Sequence, residues 1–169
     1  MSRFKYLFFG LLILVIQNSC NKDDGNNPDK TVVINEFMAV NSITAADQDG
    51  EYDDWIELFN LTDEEIDLTG HYLTDSKKNL TKWKFPAGTT ITAEGYLIVW
   101  ADTDTMQQGL HTNYKLSSLG ERVILLSPEV EILDKVEYDL QTSELAYARV
   151  PNGTGGFVWQ TATFGYKND

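Results

Sequence analysis

From residue 31 onward the apolar residues of this chain fall in short runs, cut by turn residues about every ten positions. TVVINEFMAV (31–40), DWIELFN (54–60), KWKFP (82–86), GYLIVWA (95–101), RVILLS (122–127), EILDKVEYD (131–139) and LAYARV (145–150) read as strands. Shorter strand segments are expected around Ile66–Leu68, Tyr72–Leu73, Ile91 and Tyr114–Ser117. Thr62–Glu65, Gly88-Thr89, Ser127-Pro128-Glu129 and Pro151-Asn152-Gly153 punctuate them. No segment from residue 31 onward keeps apolar residues at i, i+3, i+4 and i+7 for three turns, so no substantial helix is expected there. Alternation puts Trp55, Glu57 and Phe59 on one face of their strand and Ile56 and Leu58 on the other. GYLIVWA is apolar on both faces, which predicts a central strand buried from both sides. Many short strands with frequent turns predict an all-β sandwich or barrel. The four tryptophans, Trp55, Trp83, Trp100 and Trp159, read as core or edge packing, with Trp159 pinning the tail.

The first 30 residues follow a different rule. Arg3 and Lys5 open the chain, Tyr6–Ile16 is almost wholly apolar, and Gln17, Asn18 and Ser19 are polar. That is the pattern of an export signal. The apolar run is roughly a dozen residues, short of the ~20 that cross a bilayer as a helix. The only cysteine, Cys20, follows directly. Its setting resembles the processing site of bacterial lipoproteins, in which the thiol takes a diacylglyceryl group and the signal is cut just before it. Ser19 fits that pattern, while Gln17 stands where a leucine, valine or isoleucine is usual. The alternatives are an uncut anchor, a free thiol or an intermolecular disulfide. Within the chain no disulfide can form. Asn21–Asp29 hold no apolar side chain and predict a disordered tether. The stretch NKDDG within it resembles the acidic export tags of surface lipoproteins, and a plain solvated linker is its other reading. The expected organisation is therefore a lipoprotein signal peptide at 1–19, a lipidated cysteine and polar tether at 20–30, and a β-sandwich domain at 31–169. The expected localisation is the cell envelope: an outer membrane lipoprotein exposed at the cell surface, with a periplasm-facing orientation as the alternative.

Charge narrows the partners. The signal holds two basic residues and no acidic one, which leaves 11 basic against 26 acidic residues after it, a net −15. Phosphate backbones and anionic lipid surfaces need a basic face, so direct nucleic-acid binding is not expected. Cations, basic proteins or a surface polymer suit the charge better. The membrane is then reached through the lipid at Cys20 alone.

Candidate chemistry is sparse. His71 and His111 are separated, no G-x-S-x-G elbow occurs, and the cysteine is assigned to lipid. Two separate histidines fall short of the ligand sets of structural or catalytic zinc. Glu36 and Glu57 lie within strands and are the carboxylate pair a glycosidase-like reading would need. Calcium is the one cofactor the sequence suggests. DQDGEYDD (47–54) places Asp47, Asp49, Glu51, Asp53 and Asp54 around Gly50, and a glycine-bent acidic loop can converge several oxygens on that ion. The EF-hand order is not met, because Gly50 comes too early, and a solvated acidic loop is the alternative. Asp102 and Asp104 add oxygens only if the two loops meet.

In order along the chain, INEFMA (34–39), DWIEL with Asn60, GHYLTDS (70–76), KWKFP with Gly88-Thr89, GYLIVWA, LHTNYKLS with Gly120-Glu121, and YARVPNG (147–153) together resemble the bacterial form of the lamin tail domain. The likeness runs from about Val32 to Trp159. At the end FGYKND stands where bacterial members often carry a proline-glycine-asparagine ending. The resemblance implies an immunoglobulin-like β-sandwich without catalytic residues, working as a protein-binding tail domain or in exported and surface proteins. The expected function is a lipid-anchored envelope interaction module and not an enzyme. A structural component of an envelope assembly and a carboxylate-dependent hydrolase are the alternatives. Metabolic labelling with a fatty-acid analogue should tag the parent and leave Cys20→Ala unlabelled; equal labelling of both would refute lipidation at Cys20.

Overall fold

The computed structural model describes residues 30–169, and the signal, Cys20 and the tether up to residue 29 lie outside them. Eleven strands follow one another with no helix among the described residues. They are β1 Val32–Met38, β2 Trp55–Asn60, β3 Ile66–Asp67, β4 Tyr72–Thr74, β5 Trp83–Lys84, β6 Thr90–Ile91, β7 Tyr96–Trp100, β8 Glu121–Leu126, β9 Ile132–Tyr138, β10 Ala146–Val150 and β11 Gly156–Gln160. The five-stranded sheet runs β11-β10-β1-β2-β7, the four-stranded sheet runs β5-β4-β8-β9, and β3 pairs with β6. Every pairing between these strands is antiparallel. This is the sandwich expected from the short strands and frequent turns of the sequence, and it is of the immunoglobulin-like type that the family resemblance implies.

The main core lies between the sheets. Ile34, Phe37, Ile56, Leu58 and Val99 from the five-stranded sheet meet Leu73, Val123, Leu125, Val136 and Tyr138 from the four-stranded one. Phe37 is fully enclosed, with its ring centroid 4.7 Å from Tyr138, 5.7 Å from Tyr147 and 6.1 Å from Phe157. The other face of the five-stranded sheet is also covered. Met38, Trp55, Trp100 and Ala146 form a second apolar cluster there, closed by Ala162 and Phe164 of the C-terminal segment.

β1 carries a bulge between Ile34 and Glu36, which makes Asn35 the extra residue. β10 pairs with β1 only at Glu36 and Phe37, so Ile34 has no ladder partner on that side. Its N–H instead donates to Asp134 Oδ2 of β9 at 2.9 Å, and its carbonyl accepts from Arg149 Nε of β10 at 2.8 Å. The Arg149 guanidinium also donates to both oxygens of Asp134, at 3.0 and 2.8 Å. Lys30 Nζ adds a third donor at 2.8 Å. A buried carboxylate satisfied this fully joins the two sheets.

Two expectations need correction, and one strand is additional to those expected. GYLIVWA forms β7, but β7 is an edge strand and not a central one. Its outward residues are apolar because Phe164 packs on Trp100. Its free edge is partly covered where Trp100 N–H donates to Leu110 O and Thr112 N–H donates to Trp100 O. Tyr114–Ser117 makes no strand, only an isolated bridge between Lys115 and Asp102. The chain after Pro151 does form a strand, β11, on which Trp159 packs against Tyr147 at 4.9 Å. Truncating Phe37 to alanine should cost about 3–5 kcal/mol by urea denaturation. A loss below about 1 kcal/mol would contradict its place at the centre of the core.

Candidate functional site

Two places gather ionisable side chains. The first is the outer face of the five-stranded sheet. Glu36 and Glu57 stand directly opposite each other across β1 and β2. Both are fully buried, because the C-terminal segment crosses over them. Thr163 N–H donates to Glu36 Oε1 at 2.9 Å, and Gly165 N–H donates to Glu57 Oε2 at 2.6 Å. Asn35 Nδ2, on the bulge residue, donates to Glu57 Oε1 at 2.8 Å. Asn168 Nδ2 donates to the carbonyls of Asn35 and Arg149, so its Oδ1 faces Thr163 Oγ1 at 2.6 Å.

Thr163 has one hydroxyl hydrogen and two oxygens in reach, Asn168 Oδ1 and Glu36 Oε2. The chain of hydrogen bonds closes when Glu36 carries a proton and donates to Thr163, which donates to Asn168. Burial pushes the Glu36 carboxyl up in the same direction, against the lowering hydrogen bonds from Thr163 and Phe164. Glu57 is pushed from 4.5 up to about 7, first by burial, with the Glu36 charge adding, against hydrogen bonds from Asn35 and Gly165. The pair is therefore neither an open cleft nor two separate packing sites. It is a covered pair whose ligands are the protein's own tail.

The second place is where the acidic loops meet. The Trp55↔Trp100 register brings the chain before β2 beside the chain after β7, and Ala101 N–H donates to Asp54 O. Loop 39–54 and loop 101–112 therefore start side by side. Gly50, at φ +87, takes the left-handed turn that lets Asp47 and Glu51 close on each other. Asp47 Oδ1 then accepts the N–H groups of Asp49 and Glu51 at 2.9 and 2.8 Å. Asp49 Oδ2 accepts Gln108 N–H, and Glu51 Oε2 accepts Gln107 Nε2. Asp53 is raised by burial first and then by the charge of Asp102. Asp54 is pushed to about 7, chiefly by burial, while hydrogen bonds from Leu116 and Asn41 and the charge of Lys115 lower it.

Of the five carboxylates expected to hold calcium, only Asp47 enters a close ligand cluster among the described residues. Its companions there are Asp102 and His111, with ligating atoms all within 4.8 Å of one another. Asp49 and Glu51 staple the two loops together instead, and Asp54 turns to the backbone of Asn41 and Leu116. Asp104 is exposed, and its N–H donates to Asp102 Oδ1. His71 sits at a turn before β4. His111 is not legible as a partner in the sequence, because no local pattern ties it to Asp102 nine residues before it or to Asp47 in the other loop. Burial lowers the His111 imidazole, but the Asp102 and Gln108 hydrogen bonds outweigh it and leave the ring raised.

Two packed antiparallel sheets with covered carboxylates and connecting loops at the sheet ends define an immunoglobulin-like β-sandwich. The chain belongs to the lamin tail domain family, whose profile matches residues 26–139. This is a family of non-enzymatic, immunoglobulin-like domains. Curated proteins contain no match to the chain. The matched span ends just after β9, whereas β10, β11 and the covering tail come later and complete the five-stranded sheet.

Folding leaves Glu57 protonated across a pH window in which the unfolded chain has released that proton. Its contribution to stability is complete below about pH 4.5 and is lost as pH rises to about 7, on the order of 3 kcal/mol. Asp54, raised in the same way, acts in the same direction. The melting temperature of the full chain should fall between about pH 5 and about pH 8, and fall less in Glu57→Gln. Identical slopes for the two would contradict this role.

Proposed function

We propose that the protein is a lipid-anchored interaction module of the cell envelope, held at the outer membrane through Cys20 and facing the cell surface. Its ligand is a protein or a surface polymer. Family membership supports a binding role. The observation that carries the reading is the free edge of β11. This strand ends the five-stranded sheet, and no described strand pairs with its outer side. Val158 and Trp159 are 44% and 40% exposed along it. An unpaired strand with exposed apolar side chains offers backbone hydrogen bonds and side-chain contact to a partner. The net −15 after the signal speaks against nucleic acid and for a neutral or basic partner.

A structural component of an envelope assembly remains the alternative. Pull-down from cross-linked membranes separates the two, since one stoichiometric neighbour marks a structural part and several weaker ones mark a binder. The hydrolase reading has only the adjacency of Glu36 and Glu57 in its favour, and both already accept hydrogen bonds from the covering segment. Protease shaving of intact cells should release peptides of the domain and leave the acylated Cys20 end with the membrane. Domain peptides protected until the outer membrane is opened would overturn the surface-facing orientation.

A further inference from the structure

We propose that Asp47, Asp102 and His111 form a binding site for one divalent transition-metal ion, zinc being the best fit. The side chains are already arranged so that each presents a single ligating atom. Gln108 O can only accept, so the His111 Nε2 lying 2.9 Å from it carries the hydrogen, which leaves Nδ1 as the ligating nitrogen. This is the arrangement of metal-bound imidazoles, whose second nitrogen donates to a carbonyl that fixes the tautomer. Asp102 Oδ1 is occupied by the N–H of Asp104, and Oδ2 is directed at His111 Nδ1 at 2.5 Å. Asp47 Oδ1 is occupied by two backbone N–H groups, and Oδ2 is buried with no hydrogen-bond partner among the described residues.

A buried carboxylate oxygen without a donor is costly, and native proteins rarely leave one. Here it lies beside a histidine 5% exposed and an aspartate 1% exposed. A cation among the three would satisfy it. The imidazole selects the ion class: calcium and magnesium take oxygen ligands, while zinc and its neighbours accept nitrogen with carboxylate. Zinc at ordinary bond lengths would open the His111–Asp102 contact to about 3.3 Å and draw in Asp47 Oδ2. Three protein ligands leave a fourth position for water or an outside group. Asp47 also lines a cleft of about 400 Å³ whose other walls include Leu97, Trp100, Leu110 and Phe164.

In the competing arrangement a proton on His111 takes the metal's place and the cluster is a buried ion pair alone. The two are separated by titrating the chelator-stripped full chain, in detergent, with zinc chloride by calorimetry, alongside thermal melting. One zinc per chain should bind and raise the melting temperature. Asp47→Asn, at a residue outside the His111–Asp102 pair, should weaken binding by at least about tenfold, while Asp63→Asn, at an exposed residue beyond the other end of β2, leaves it unchanged. Cobalt(II) in place of zinc should show visible absorption that Asp47→Asn diminishes. No zinc binding, zinc binding unaffected by Asp47→Asn, or a response to calcium without one to zinc would each overturn the proposal.

Discussion

A single buried carboxylate, Asp134, holds the two sheets in register. The bulge at Asn35 pulls β1 away from β10 and strands the N–H and carbonyl of Ile34 inside the protein. Unpaired backbone groups cannot be left there cheaply. Asp134 reaches across from β9 to take the N–H, and Arg149 comes from β10 to take the carbonyl. Their mutual ion pair compensates the burial of both charges. The Arg149 side chain is further fixed by Gly155 O and lies over the Phe157 ring at 4.5 Å, so β11 is attached to the same point.

The bulge has a second effect on the opposite face. The extra residue, Asn35, links Glu57, Asn152 and Gly153 through its side chain, and its carbonyl accepts from Asn168. The C-terminal segment is therefore docked by polar contacts at Glu36, Glu57 and Asn35 and by apolar contact of Phe164 with Trp55 and Trp100. Two carboxylates that would be a liability on an open sheet become the attachment points of a cover. Burial pushes each of them toward its neutral form, which limits the cost of covering them.

Most strands were readable from alternation, because the code for a strand's two faces is local: Ile56 and Leu58 share one face and Trp55 and Glu57 the other, as expected, and the structure turns the first pair into the main core. β7 was placed wrongly because an apolar face reports only that something covers it, not whether that is a second sheet or a tail from residue 162 onward. β11 was invisible because Gly156, Val158 and Trp159 are exposed and leave no inward–outward contrast. The pairing of Glu36 with Glu57 depends on a one-residue bulge, and no pattern in INEFMA signals it. The meeting of Asp47 with Asp102 and His111 depends on the β2–β7 register. Sequence showed that both loops were acidic, and only the sheet could bring them together.

The central claim is that Asp134 and Arg149 act as one unit that fixes the bulge and joins the sheets. A double-mutant cycle with Asp134→Asn, Arg149→Met and the pair, read by urea denaturation, measures it most directly. A coupling free energy above about 1.5 kcal/mol is expected for a buried charge pair sharing a network. A coupling below about 0.5 kcal/mol, with the single losses simply adding, would contradict it.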